Sequence, residues 1–90
     1  MIENVTFDST GLEHYIHWQT EDRKTLKKIN KLIEDIKRNG ESVGIGHPEP
    51  LKHGLSGKWS RTIDDKNRLV YKVIGKNLEI YSCKGHYDHK

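Results

Sequence analysis

The chain has 90 residues, 21 of them Leu, Ile, Val or Phe, which suits one thin core and leaves too little for two domains with separate cores, so residues 1–90 read as a single domain. Lys and Arg outnumber Asp and Glu by 16 to 13, and the resulting formal charge of +3 favours polyanionic partners without demanding one. No apolar run approaches the ~20 residues that span a bilayer, no basic segment leads into an apolar leader, and a lone Cys83 cannot close an internal disulfide, so a soluble cytoplasmic protein is expected.

Ile2 to Phe7 alternates as a strand does and ends at Asp8-Ser9-Thr10-Gly11, a cluster of helix-capping residues. A first helix is expected from there, with Thr10 and Glu13 at capping-box spacing and Leu12, Tyr15 and Ile16 as its apolar stripe, up to a polar break at Gln19 to Asp22. The next segment puts Leu26, Ile29, Leu32, Ile33 and Ile36 on one side and a lysine-rich remainder around it, which predicts an amphipathic second helix stopped by Asn39-Gly40. The two helices should form an antiparallel hairpin.

Glu41 to Gly57 carries Gly44, Gly46, Pro48, Pro50, Gly54 and Gly57, which rules out a helix and leaves a loop with room for a short strand. Lys58 to Ile63, Arg68 to Ile74 and Asn77 to Lys84 then read as a three-strand antiparallel meander turning at Asp64-Asp65-Lys66-Asn67 and at Gly75-Lys76. The whole is an α+β arrangement in which the helical hairpin covers one sheet face and the other stays free for a site. Period-two alternation sends Arg68, Val70 and Lys72 to the side opposite Leu69, Tyr71 and Val73, so Arg68 can point away from the helices.

Three residues stand out chemically. Glu49 is pinned between Pro48 and Pro50, which restrict the backbone on both sides and hold the carboxylate on an extended segment. His86 follows the last strand and is followed by Tyr87, and Arg68 supplies a cation. An ordinary glutamate is ionised at neutral pH while histidine can donate a proton there, so these three form a metal-free base, acid and cation set suited to phosphodiester cleavage. No cofactor or metal is expected, because His14 and His17, one helical turn apart, have no cysteine pair or carboxylate cluster to complete a site, and Gly44-Ile45-Gly46 lacks the third glycine and strand-to-helix setting of a nucleotide loop.

Pro48-Glu49-Pro50-Leu51-Lys52-His53, Leu55-Ser56-Gly57, Trp59-Ser60-Arg61, Asn67-Arg68-Leu69-Val70-Tyr71 and His86-Tyr87 resemble, in this order, the YoeB/Txe toxins of bacterial type II toxin-antitoxin systems. Tyr15 to Gln19 and Lys27 to Ile33 fit the helices of the same family, so the resemblance covers nearly the whole chain. It implies a RelE-like, microbial-RNase-like fold and an endoribonuclease that cuts mRNA in the ribosomal A site. It further implies Glu49 as general base, Arg68 as the phosphate-stabilising cation, His86 as general acid and Tyr87 as an ordering residue, with Lys52, His53 and Arg61 as substrate contacts. The implied partners are a YefM-like antitoxin, the ribosome with its mRNA, operator DNA reached only through the antitoxin complex, and a second copy of the chain.

Each residue has a second reading. Glu49 can be a solvated loop carboxylate, Arg68 can pair with Asp64 or Asp65 across its turn, and Lys52 and Arg61 can be ordinary surface cations. Trp18 and Trp59 are assigned to packing, as large aromatics in a small core usually are. The chain departs from the family at Thr62, which stands where a second arginine is frequent, and at His47, at Lys84-Gly85, and in the Asp88-His89-Lys90 tail. The rival function is a binding-only toxin, as in the ParE-type relatives, whose mark would be the loss of the acid-base pair.

Overall fold

The computed structural model describes residues 1–55 and 57–86. Strand β1 covers Asn4–Phe7, and its start is tied to the turn before the last strand, with the Glu3 and Asn4 amides both donating to the Lys76 carbonyl at 2.8 and 3.1 Å.

Helix α1, Ser9–Glu21, has Asp8 at its N-cap in extended backbone, yet the Asp8 side chain caps no amide. Thr10 is thus already helical, and the Thr10/Glu13 capping box expected from spacing does not govern the start. The helix also runs through Gln19 and Thr20, so that Asp22 alone separates it from helix α2, Arg23–Asn39. The expected apolar stripe is corrected as well, because Leu12 and Ile16 are 45% and 54% exposed. The buried face instead carries Gly11, His14, Tyr15 and Trp18. At Gly11 the helix lies so close to the sheet that a Cβ would stand 2.5 Å from the Ile80 carbonyl oxygen, and a leucine-sized stripe has no room there.

Helix α2 follows its pattern closely. Asp22 accepts from the Lys24 and Thr25 amides at 3.0 and 3.3 Å and from the Thr25 hydroxyl at 2.9 Å, satisfying donors that a helix start leaves open. These bonds, the Thr25 hydroxyl first, hold the Asp22 carboxyl below its ordinary range. Ile29, Leu32, Ile33 and Ile36 are buried, and the helix stops at Gly40, whose φ of 94° suits glycine.

Strands β2, Glu49–Pro50, β3, Trp59–Thr62, β4, Arg68–Ile74, and β5, Asn77–Ser82, complete a five-stranded sheet in the order β1-β5-β4-β3-β2. From β5 to β2 every pairing is antiparallel, whereas β1 joins β5 in parallel, with Val5 opposite Leu78 and Phe7 opposite Ile80. The parallel edge follows from topology: the helical hairpin and three strands intervene between β1 and β5, enough chain for a crossover. Leu69, Tyr71, Leu78 and Ile80 are fully buried on the helix side against Ile29, Leu32 and Ile36. Trp18 and Trp59 pack at the border of this core, as expected, and the Trp18 indole N–H donates to the Cys83 carbonyl at 2.9 Å. Among the described residues no helix is long and apolar enough to cross a membrane.

Candidate active site

The segment holding Glu49 is shaped by backbone conformation. His47 and His53, with φ of 54° and 60°, are the two non-glycine residues of the described chain in the left-handed region, and they bracket the Pro48-Glu49-Pro50 run. Such conformations require compensation from surrounding structure. It is present here: Glu49 stands opposite Ser60, Pro50 opposite Trp59, and the Leu51 amide donates to the Lys58 carbonyl at 2.9 Å. A proline without an N–H is tolerated because β2 is the edge strand. Glu49 is exposed, and Lys52 and His53 follow it, exposed, at the start of the short 3₁₀ turn His53–Leu55.

Register relates Glu49 to Arg68. Ser60, opposite Glu49, is itself opposite Val70 on β4, and residues directly opposite in antiparallel strands project to the same face. Arg68 lies two residues before Val70, so it leaves the same face, whereas Leu69 and Tyr71 point to the helices. Glu49 and Arg68 thus share the helix-free face, above a floor in which Ser60 and Val70 are buried. Lys58, Glu79 and Tyr81 occupy it too, the Lys58 ammonium sitting 4.1 Å from the Tyr81 ring centroid and the Tyr81 hydroxyl donating to Glu79 at 3.3 Å.

His86 arrives by a backbone connection. After β5 the chain returns to the start of β4, where the Arg68 amide donates to the Gly85 carbonyl at 3.0 Å and the Gly85 amide donates to Asn67 Oδ1 at 2.7 Å. His86, exposed, is the next residue. Tyr87 lies outside the described residues.

The Arg68 guanidinium is oriented by carbonyls rather than by a carboxylate, with Nη1 donating to Asp64 O at 2.6 Å and to Asn67 O at 3.1 Å. The Asp64 carboxylate is occupied otherwise, accepting from the Lys66 and Asn67 amides and from Asn67 Nδ2. Burial works against its charge, but the Asn67 side chain, the two amides and the nearby Arg68 outweigh it and keep the carboxyl below its ordinary range. The alternative of an Arg68–Asp64 side-chain pair across the turn is therefore replaced by a contact to the Asp64 main chain.

Arg61 is the residue the structure removes from the expected set. It stands opposite Leu69, on the helix side, and is fully buried. Its guanidinium donates to the Tyr71 hydroxyl at 3.0 Å, to Asp35, and to the carbonyls of Gly40, Val43 and Ile45 at 2.9 to 3.0 Å. A side chain committed in this way cannot contact a substrate on the opposite face. Alternation carried the signal, since Trp59, Arg61 and Ile63 must share the side that Ser60 and Thr62 avoid. Sequence alone gave no role to Asp35 or Glu41, and it gave Asn67 none beyond its turn and motif. Glu41 accepts from the Tyr71 hydroxyl through its main chain at 2.6 Å and from the Val73 amide through its carboxylate at 2.9 Å.

Glu49 and Arg68 place a carboxylate and a guanidinium on one open side of the sheet, and His86 follows directly on the Gly85 that pairs with the Arg68 main chain. Among the described residues no group of three or more His, Cys, Asp and Glu side chains gathers as a metal site.

The model of the YoeB-like toxin of bacterial type II toxin-antitoxin systems matches residues 7–87. A Streptomyces coelicolor protein, Toxin YoeB, is 53% identical over 83 residues, covering 92% of this chain and 98% of its own length. The toxin in a heterotetrameric YoeB-YefM toxin-antitoxin complex from Staphylococcus aureus superposes with a TM-score of 0.88 at 45% identity, covering 97% of this chain and 99% of that one. A Staphylococcus aureus YoeB dimer gives a TM-score of 0.89 at 46% identity over 97% of this chain and all of the other, 100%.

Proposed function

The chain belongs to the YoeB-like toxin family of bacterial type II toxin-antitoxin systems, and on its geometry we propose that it is a metal-independent endoribonuclease cutting mRNA in the ribosomal A site. The observation that carries the reading is the common face of Glu49 and Arg68, with His86 delivered to the start of the same strand by the Gly85 pairing.

In this reaction Glu49 takes the proton of an RNA 2′-hydroxyl, and the 2′-oxygen forms a bond to the adjacent phosphorus. Arg68 stabilises the negative charge that builds on the phosphoryl oxygens. The bond from phosphorus to the 5′-oxygen breaks as His86 gives that oxygen its proton. The products carry a 2′,3′-cyclic phosphate and a 5′-hydroxyl. Lys52 and His53, exposed beyond β2, meet the RNA backbone, and Tyr87 orders the site or its substrate.

The neutralising partner is a YefM-like antitoxin, in keeping with the YoeB-YefM complex of the Staphylococcus aureus relative, and the dimer of that relative supports self-association of this chain. The chain reaches operator DNA only through the antitoxin complex. Primer extension on a defined mRNA held on stalled ribosomes tests the proposal: cuts in the A site that need ribosomes and vanish with His86→Ala support it. Translation arrest and ribosome binding without cuts would replace it with the binding-only reading.

A further inference from the structure

The turn before β4 contains a clamp that no expectation from sequence assigned. Asn67 Oδ1 accepts the Gly85 amide at 2.7 Å, the residue immediately before His86. The Asn67 carbonyl accepts Arg68 Nη1 at 3.1 Å, beside the Asp64 carbonyl at 2.6 Å, and the Arg68 amide closes the ring on the Gly85 carbonyl at 3.0 Å. Asn67 is itself fixed, because Nδ2 donates to both carboxylate oxygens of Asp64 at 3.0 and 3.1 Å and its own amide donates to Asp64 Oδ1 at 2.8 Å. One amide side chain thus spans from the aspartate of the turn to the segment bearing His86.

We propose that Asn67 is a positioning residue for catalysis, holding His86 and Arg68 in one fixed relation, with Asp64 as its anchor; the role rests on the nuclease reading above. The physical case lies in what ties Gly85, the residue before His86, to β4. Gly85 lies past the end of β5, and the sheet ladder that ends at the Val70 and Ser82 pair does not reach it. Cys83 is held to α1, its amide donating to His14 Nδ1 at 3.1 Å and its carbonyl accepting the Trp18 indole N–H at 2.9 Å, and beyond it the bonds to the Asn67 side chain and the Arg68 amide register Gly85 against β4. Removing Oδ1 removes the Asn67 bond, leaves the Gly85 amide to water, and loosens the backbone that carries His86 relative to Arg68.

The donor and acceptor pattern supplies its own control. Asn67→Asp keeps an acceptor for the Gly85 amide but sets two carboxylates face to face at the Asp64 contact. Asp64→Asn in the same molecule restores a donor there while its amide oxygen still accepts from the Lys66 and Asn67 main chain. The swapped pair therefore reproduces the clamp with its polarity reversed.

The test is single-turnover cleavage of ribosome-bound mRNA by the wild type, Asn67→Ala, Asn67→Asp and the double variant Asp64→Asn/Asn67→Asp, each with its thermal midpoint and its ribosome affinity. Misplacement of reacting groups by about 1 Å costs about 100-fold. Asn67→Ala and Asn67→Asp should lose rate on that scale at saturation, with ribosome affinity unchanged, and the swapped pair should recover most of it. Rates for Asn67→Ala equal to the wild type, a loss confined to affinity, or a swapped pair no better than Asn67→Asp alone would overturn the proposal. Amide exchange at Gly85 reads the clamp without activity, being protected in the wild type and the swapped pair and fast in Asn67→Ala; equal exchange in all would also overturn it. A wild type that cuts nothing while Gly85 behaves as expected removes the nuclease reading and the catalytic role, and leaves only the clamp.

Discussion

Arg61 donates through Nη1 to Asp35 Oδ2 at 2.5 Å, joining β3 to α2 across the core, and the same guanidinium gathers the carbonyls of Gly40, Val43 and Ile45. The loop between α2 and β2 therefore wraps a buried cation, and the strand that carries Glu49 begins where that loop ends. Thr62 reinforces the connection by donating its amide to the Gly46 carbonyl at 2.7 Å.

Breaking this arrangement on one side leaves a charge without its partner in a largely dry place. Arg61→Met should destabilise the fold by about 3 kcal/mol or more, the scale found when one member of a buried pair is removed. Urea unfolding with Asp35→Asn/Arg61→Met as companion checks it: the double variant should recover part of the loss. A loss under about 0.5 kcal/mol, typical of a surface substitution, would contradict the assignment of Arg61 to structure.

The same pair has a consequence in acid. Burial opposes the charge on Asp35, but the hydrogen bonds from Arg61, the Ile45 amide and Asn39, with the Arg61 charge, hold its carboxyl below the ordinary value of 3.8. A depressed folded value means that the unfolded chain takes up the proton first, so the contribution is complete above about pH 4 and fades as pH falls through the folded value. Asp22 and Asp64 shift in the same direction and add to the effect. Stability measured between pH 6 and pH 2 should fall steeply at the acid end for the wild type and less steeply for Asp35→Asn/Arg61→Met; parallel curves would refute the Asp35 contribution.

Gly11→Ala tests the packing of α1. The added methyl would meet the Ile80 carbonyl oxygen at 2.5 Å, and backbone cannot swing aside as a flexible side chain can. Although alanine favours helix by roughly 1 kcal/mol over glycine, the clash should win and the net effect should be a destabilisation of about 1 to 3 kcal/mol. A variant more stable than the wild type would show that α1 does not lie against β5 in this way.

Cys83 is fully buried, and burial pushes its thiol up to about 12. The reactive form is the thiolate, so a thiol reagent should label the native protein only as fast as it opens, and at full speed in denaturant. Rapid labelling of the folded chain would contradict the placement of Cys83 behind α1.

Much of the architecture was legible because it depends on local signals. The 3.6-residue stripe and Gly40 stop defined α2, and alternation placed Leu69 and Tyr71 on the core side of β4 and Arg68 opposite them. The remainder depended on contacts between distant segments. Leu12 and Ile16 mimic a stripe, but a glycine decides which side of α1 meets β5. Arg61 looks like a surface cation until Asp35 and three loop carbonyls, all more than ten residues away, are brought around it. The segment that resembles the family's Pro-Glu-Pro run appeared as loop because a two-residue strand has too few residues to show a period. Asn67 passed as an ordinary turn residue, since its link to Gly85 spans 18 positions.

Glu49→Gln and Arg68→Ala should each lower the rate of RNA cutting by about 100-fold or more while leaving ribosome binding near normal. Lys27→Glu with Lys31→Glu, on the exposed side of α2, should do the reverse, weakening binding in a salt-dependent way and sparing the rate at saturation. Single-turnover rates and binding at two salt concentrations separate these effects. Equal loss of binding in all three proteins would argue against a division between reacting and docking residues.

The most direct measurement replaces the nucleotide on the 5′ side of the scissile phosphate with its 2′-deoxy form in a ribosome-bound mRNA. Cutting at that phosphate should disappear while binding persists, and the all-ribose control should yield an upstream fragment ending in a 2′,3′-cyclic phosphate. Undiminished cutting of the deoxy-substituted mRNA would mean that the 2′-hydroxyl is not the nucleophile, and the roles given to Glu49, Arg68 and His86 would fall with it.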